Sequence, residues 1–186
     1  WEYLWIVDPI DGTKEFIKKN GEFTVNIALV HKQVPVLGVI YVPVLQELFY
    51  AAKDLGSFKA VDVAVTAAVD AILNTGKQLP LALQKEQYTA VASKSHLSPE
   101  TVEYIKTLEA EHGEVATISK GSSLKLCMVA EGQADCYPRF APTMEWDTAA
   151  GSAICKYAGK TVLDWETKEE MRYNREQLLN NWFLVK

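Results

Sequence analysis

The first sixty residues carry five β-rich runs in succession, at 3–7, 23–30, 36–42, 47–52 and 56–60. Asn20-Gly21, His31-Lys32-Gln33 and Pro43 punctuate them. Strands this close, joined by short turns, predict an antiparallel meander. The first run reads as a short buried strand. The second half alternates instead. Tyr88–Ala92 suits a strand, and Ser98-Pro99-Glu100 starts a helix, with Ser98 able to cap it and Pro99 suited to its first position. Val102, Ile105 and Leu108 would form that helix's apolar face, and His112-Gly113 its end. A strand is expected at 115–118, a helix at 124–130 ending near Gly132, and a strand at 134–137. A small-residue helix follows at 148–155, able to pack closely against a neighbour, with late strands at 161–163 and 182–185. Strands followed by alternation imply a layered α/β or α+β protein. The expected organisation is a sheet lobe with a metal-binding turn over 1–60, a variable insertion over 61–87, and an α/β lobe over 88–186. The insertion is expected to be an irregular or partly helical surface excursion.

The chain of 186 residues is long enough for one domain, or for two small lobes sharing a core. Its net charge of −5 argues against a general coat for a nucleic-acid polymer, which needs a basic face. A small phosphorylated ligand remains compatible, because an embedded metal can supply positive charge. Cys127, Cys136 and Cys155 are widely spaced, with no C-x-x-C, and read as reduced thiols of a cytoplasmic protein. No apolar run approaches a membrane span, and no secretory signal opens the chain. Loose attachment to a membrane surface stays compatible with this pattern, and the oligomeric state stays open. The chain opens on Trp1-Glu2-Tyr3-Leu4-Trp5, without Met, as though inside a core strand. The natural protein is therefore expected to begin upstream.

The first run ends in Asp8-Pro9-Ile10-Asp11-Gly12-Thr13. Two carboxylates on one turn repel unless something positive sits between them. A hard divalent ion prefers oxygen ligands of this kind. Pro9 stiffens the turn, and Gly12 permits a backbone conformation or a close approach denied to other residues. An ordinary strand followed by an Asp/Gly turn fits the same residues. An EF-hand does not, because the alternating acidic spacing is missing.

Four further places could carry chemistry. Asp147 stands before the small-residue helix, as N-cap, metal ligand or both. Gly121-Ser122-Ser123 precedes a helix, an arrangement that can bind an anion, with Lys125 in its first turn. Arg139 follows Tyr137-Pro138 and could pair with a phosphate. His96 lies just past a strand end. The acids favour an oxygen-loving metal over zinc.

Taken in order, these pieces resemble the inositol monophosphatase superfamily. Asp8–Thr13 looks like its first signature, and Trp146-Asp147-Thr148-Ala149-Ala150-Gly151 like its second. Lys14-Glu15-Phe16-Ile17, Asn20–Leu29, Ser93-Lys94-Ser95-His96, Gly121–Lys125 and Val129–Arg139 are similar to the CysQ-type 3′(2′),5′-bisphosphate nucleotidases. The resemblance implies a layered α/β/α/β/α sandwich. It also implies a Mg²⁺-dependent, Li⁺-sensitive phosphatase that converts adenosine 3′,5′-bisphosphate to AMP and phosphate. Such an enzyme would act on phosphoadenosine phosphosulfate as well, in sulfur assimilation and nucleotide recycling.

By that similarity Asp8, the Ile10 carbonyl, Asp11 and Asp147 would hold two or three Mg²⁺ ions. Gly12 and Thr13 would present N–H groups to phosphate, and the Thr13 hydroxyl would orient water. His96, Ser122, Ser123, Lys125 and Arg139 would contact the nucleotide. The family's upstream metal-binding Glu, its companion acid and the N-terminal helices would precede Trp1. The chain as written is therefore expected to be poorly active alone. An inositol or sugar-phosphate phosphatase is the neighbouring alternative, against which the Lys14-Glu15-Phe16 and Gly121–Lys125 blocks argue. A non-catalytic nucleotide- or metal-binding module is the alternative from another class.

Overall fold

The computed structural model describes residues 1–92 and 97–186. Six antiparallel strands form the first sheet, in sequence order: β1 (Tyr3–Asp11), β2 (Thr24–His31), β3 (Val34–Val42), β4 (Glu47–Ala52), β5 (Gly56–Ala60) and β6 (Lys77–Gln78). The meander read from the sequence is thus present. α1 (Thr13–Lys18) separates β1 from β2, and α2 (Val69–Thr75) precedes β6. Residues 61–87 therefore supply a short helix and the last strand of this sheet.

The chain then alternates through β7 (Tyr88–Val91), α3 (Pro99–His112), β8 (Val115–Ile118), α4 (Leu124–Glu131), β9 (Tyr137–Arg139), α5 (Glu145–Tyr157), β10 (Val162–Asp164) and β11 (Phe183–Val185). β7 and β8 pair in parallel, and β11 lies between β10 and β9. A bridge between Ala90 and Cys136 joins these two small sheets. α4 and α5 touch each other and lie between the first sheet and the second set of strands, while α3 contacts β8 and β9. The result is a mixed, layered α/β architecture.

The inner face of the first sheet is clearest on β2, whose burial alternates strictly. Along β2, Thr24, Asn26, Ala28 and Val30 are buried. Ala28, Val30, Ile40, Val42 and Phe49 join residues of α4 and α5 in one apolar core. The small residues of α5 permit a close approach, as their composition suggested. A Cβ at Gly38 would lie 2.3 Å from the carbonyl oxygen of Ala150. One at Gly151 would lie 2.9 Å from Leu126. Two missing side chains thus let α5 press against β3 on one side and α4 on the other.

Three expectations need correction. β1 is not a short buried strand ending at residue 7. It runs to Asp11 at the sheet edge, and Tyr3, Trp5 and Val7 are 59%, 58% and 51% exposed. Its apolar residues occupy both faces, and only the inner set, such as Ile6, reaches the core. In α3, Ser98 caps as expected, accepting the Thr101 N–H at 3.2 Å. However, Val102 is exposed, and the packing falls to Leu108 with half-buried Tyr104 and Ile105. Tyr104 meets Phe140 and Trp165 edge-on, an aromatic cluster the apolar spacing alone did not show. Finally, α5 starts at Glu145, with Met144 as its N-cap, so Asp147 lies inside the first turn.

All three cysteines are free and buried. Burial raises the thiol pKa of Cys136 to about 11 and of Cys155 to about 12, which leaves them protonated and inert.

Candidate active site

Regular pleating would send Asp8 and Asp11, three positions apart, to opposite faces of β1. The register prevents this. Asp8 pairs with Asn26 and Asp11 with Thr24, so β1 contains one more residue than β2 over this stretch. Such a bulge realigns side chains. Both carboxylates then share the face of buried Asn26 and Thr24. Gly12 follows with φ 86°, a left-handed conformation that lets the chain turn directly into α1. A Cβ there would also meet the Ser122 side chain at 3.0 Å.

Asp147 arrives from the first turn of α5. Its Oδ2 accepts the Met144 N–H at 2.7 Å. This satisfies one of the unpaired N–H groups at the helix start and fixes the carboxylate's orientation. Each of Asp8, Asp11 and Asp147 offers an oxygen within 4.8 Å of the others. Of the four positions expected to ligate metal, the three acids are thus gathered in one place.

Their electrostatics suit a cation. Burial pushes the Asp11 carboxyl up to about 6, and the charges of Asp147 and Asp8 push the same way. Hydrogen bonds from Asn26 and from the Ser123 N–H, the latter at 2.6 Å, pull against this without cancelling it. Asp8 and Asp147 are raised as well, chiefly by burial. Three crowded, partly desolvated carboxylates form an all-oxygen set, and a hard divalent ion such as Mg²⁺ fits it by donor chemistry and charge.

Asp11 and Asp147, with Asp8 next to them, form one side of a cavity of about 200 Å³; Asp8 itself is not in its lining, which also includes Gly12, Glu15, Ser122, Ser123, Lys125 and Arg139. Lys125 Nζ donates to the carbonyls of Ser122 and Lys120 at 2.9 and 3.2 Å. Burial lowers its pKa, with Arg139 adding to the effect and the nearby acids opposing it. Arg139 Nη2 reaches the Pro142 carbonyl at 3.4 Å, and its buried Nε has no partner among the described residues. One cavity thus joins an acidic cluster to two cationic side chains, the polarity needed to hold a phosphate ester alongside metal ions.

The Gly121-Ser122-Ser123 turn differs from the open anion cradle expected of it. The Gly121 N–H donates to Glu22 Oε2 at 2.7 Å, and the Ser123 N–H is taken by Asp11. The Ser123 hydroxyl is buried between Thr24 and Asn26, at 2.8 Å from each. Both serines line the cavity, but Ser123 spends its N–H on Asp11 and its hydroxyl on Thr24 and Asn26, so it braces Asp11. Thr13 is exposed at the start of α1, and Ile10 donates its N–H to Asp8 at 3.0 Å. His96 lies outside the described residues.

Sequence reasoning missed Glu22, Thr24 and Asn26, the polar scaffold behind the site. A signal existed, since Thr24 and Asn26 occupy the inward positions of an otherwise apolar alternating strand. Polar groups on a core-facing register need partners.

The model of the inositol monophosphatase family matches residues 1–184. The 3′(2′),5′-bisphosphate nucleotidase CysQ of Salmonella typhimurium is 48% identical over 185 residues, covering 100% of this chain and 68% of that protein. The crystal structure of CysQ from Bacteroides thetaiotaomicron superposes with a TM-score of 0.94 at 56% identity, covering 100% of this chain and 70% of the other. Inositol monophosphatase II of Staphylococcus aureus shares the fold, with a TM-score of 0.75 at 22% identity over 98% of this chain and 64% of the other.

Proposed function

Because this chain belongs to the inositol monophosphatase family, we propose that it is a Mg²⁺-dependent phosphatase removing the 3′-phosphate of adenosine 3′,5′-bisphosphate to give AMP and phosphate. The observation that carries this reading is a cavity lined by Asp11, Asp147, Lys125 and Arg139, with Asp8 gathered to the two acids. Similarity to enzymes named 3′(2′),5′-bisphosphate nucleotidase favours the nucleotide over an inositol phosphate.

Phosphoryl transfer depends on positioning and charge stabilisation more than on covalent help from the protein. Asp8, Asp11, Asp147 and the Ile10 carbonyl would hold two or three Mg²⁺ ions. When bound, the metal supplies charge neutralisation for the phosphoryl oxygens and activation of water. The chain's own groups do the rest. Gly12 and Thr13, at the first turn of α1, have N–H groups with no intrahelical acceptor, and these bind phosphoryl oxygens. The Thr13 hydroxyl orients the attacking water. Lys125 and Arg139 bind the anionic nucleotide, with Ser122 beside them and His96 as a further contact. Water adds to phosphorus as the bond to the ribose 3′-oxygen breaks, and a proton ends on that oxygen.

The proposal extends to phosphoadenosine phosphosulfate, to Li⁺ inhibition, and to a cytoplasmic role in sulfur assimilation and nucleotide recycling. Among the described residues no helix is long and apolar enough to cross a membrane. Phosphate release measured side by side from adenosine 3′,5′-bisphosphate and inositol 1-phosphate tests the substrate assignment. A clear preference for the nucleotide is expected, and a preference for inositol 1-phosphate would overturn it.

A further inference from the structure

Beyond the three acids, a chain of buried and part-buried hydrogen bonds approaches the site from residues 174–180. Glu145 is 1% exposed and ionisable, a position that demands partners. Its Oε1 accepts Arg175 Nε at 2.9 Å and the Arg175 N–H at 3.2 Å, and its Oε2 accepts the Asn174 N–H at 2.8 Å. Arg175 Nη2 donates to Asn180 Oδ1 at 2.9 Å. Asn180, itself 5% exposed, donates through Nδ2 to the Met144 carbonyl at 2.8 Å and to Thr148 Oγ1 at 3.0 Å. The Met144 N–H, in turn, donates to Asp147 Oδ2 at 2.7 Å.

We propose that Glu145, Arg175 and Asn180 are positioning residues that set the Asp147 carboxylate for metal binding. The inference rests on the metal-site reading given above. Asp147 comes from a helix start, where ends fray and caps exchange. Asn180 removes that freedom by holding both Met144, the cap residue, and Thr148, the residue after Asp147. A carboxylate preset in this way loses less side-chain entropy when it takes a cation. Partners of this kind typically contribute tenfold or more to metal affinity. Glu145 lies two positions from Asp147 and makes its bonds to 174–175, so its part is to anchor Arg175.

Calorimetric titration of the metal-free protein with Mg²⁺ tests this. Asn180→Ala and Arg175→Ala are each expected to weaken Mg²⁺ binding roughly tenfold. Glu145→Gln, which keeps an acceptor for Arg175, should show a smaller loss. Leu108→Ala, in a separate apolar cluster, provides a comparison that is destabilised without being linked to the site. It should lower the melting temperature while leaving Mg²⁺ affinity within about twofold of wild type, as expected for independent sites. If Arg175→Ala, shown by its melting curve to be folded at the titration temperature, or failing that Asn180→Ala, binds Mg²⁺ as tightly as wild type, the positioning role is wrong and the metal-site reading stands. If wild-type protein takes up no Mg²⁺, both fall together.

Discussion

Asp11→Asn should make the metal-free protein more stable while removing its response to Mg²⁺. In the folded chain the Asp11 carboxyl is raised from 3.8 to about 6, by burial first and then by Asp147 and Asp8. A folded-state pKa above the unfolded one means that folding favours the protonated form. Stability from this group is therefore complete below about pH 4 and is lost as pH rises through about 6. At about 1.36 kcal/mol per pH unit, the ionised carboxylate costs the folded state roughly 3 kcal/mol at pH 7.5. Asparagine has no charge to desolvate, and its carbonyl oxygen can still accept the Ser123 N–H now bound at 2.6 Å. Its amide adds donors beside Asp8 and Asp147. Allowing for imperfect replacement, the gain at pH 7.5 should be about 1–3 kcal/mol, or roughly 3–10 °C in melting temperature for a chain of this size. At pH 4.5 the two proteins should nearly coincide. Thermal melts in chelator and in Mg²⁺, at both pH values, measure all of this. Wild type should gain stability with Mg²⁺ and the variant should not. A variant less stable than wild type in chelator at pH 7.5, or equally stabilised by Mg²⁺, would refute the reasoning.

Other perturbations separate scaffold from site. Gly38→Ala would place a methyl group 2.3 Å from the Ala150 carbonyl, forcing β3 and α5 apart. A loss of about 2–3 kcal/mol in denaturant melts is expected from such overpacking, and a neutral result would contradict the close approach. Lys59→Met leaves Glu131, 5% exposed and bonded to Lys59 at 2.9 Å, buried without its partner. Chemical unfolding should show a cost of about 3 kcal/mol, and an unchanged midpoint would contradict the pairing. Lys125→Ala should raise KM for the bisphosphate by about tenfold or more, with a smaller loss of kcat, because a charge-assisted contact to substrate is removed. An unchanged KM would remove Lys125 from the binding surface.

Much of the site was legible because short sequence patterns impose it. Asp8, Asp11 and Gly12 sit where an apolar run must turn, and Asp147 opens a helix. What sequence could not show was the geometry between them. The bulge that brings Asp8 and Asp11 to one face is visible only in the pairing with Asn26 and Thr24. Ser123 reads as a free anion-binding serine until its hydroxyl is found buried against Thr24 and Asn26. The apolar run of β1 suggested burial, but the depth of an edge strand depends on what covers it. Glu145 and Asn180 are far apart in sequence and carry no local pattern, since only tertiary packing brings them together.

The metal centre itself is the point on which the account depends. Crystals of the protein soaked in Mn²⁺ as an anomalous substitute for Mg²⁺ address it directly. The account predicts an anomalous peak bonded to oxygens of Asp8, Asp11 and Asp147 at about 2.0–2.2 Å, the short range expected of a small hard ion. Protein that hydrolyses phosphate ester under the same conditions but shows no peak among these three carboxylates would contradict it.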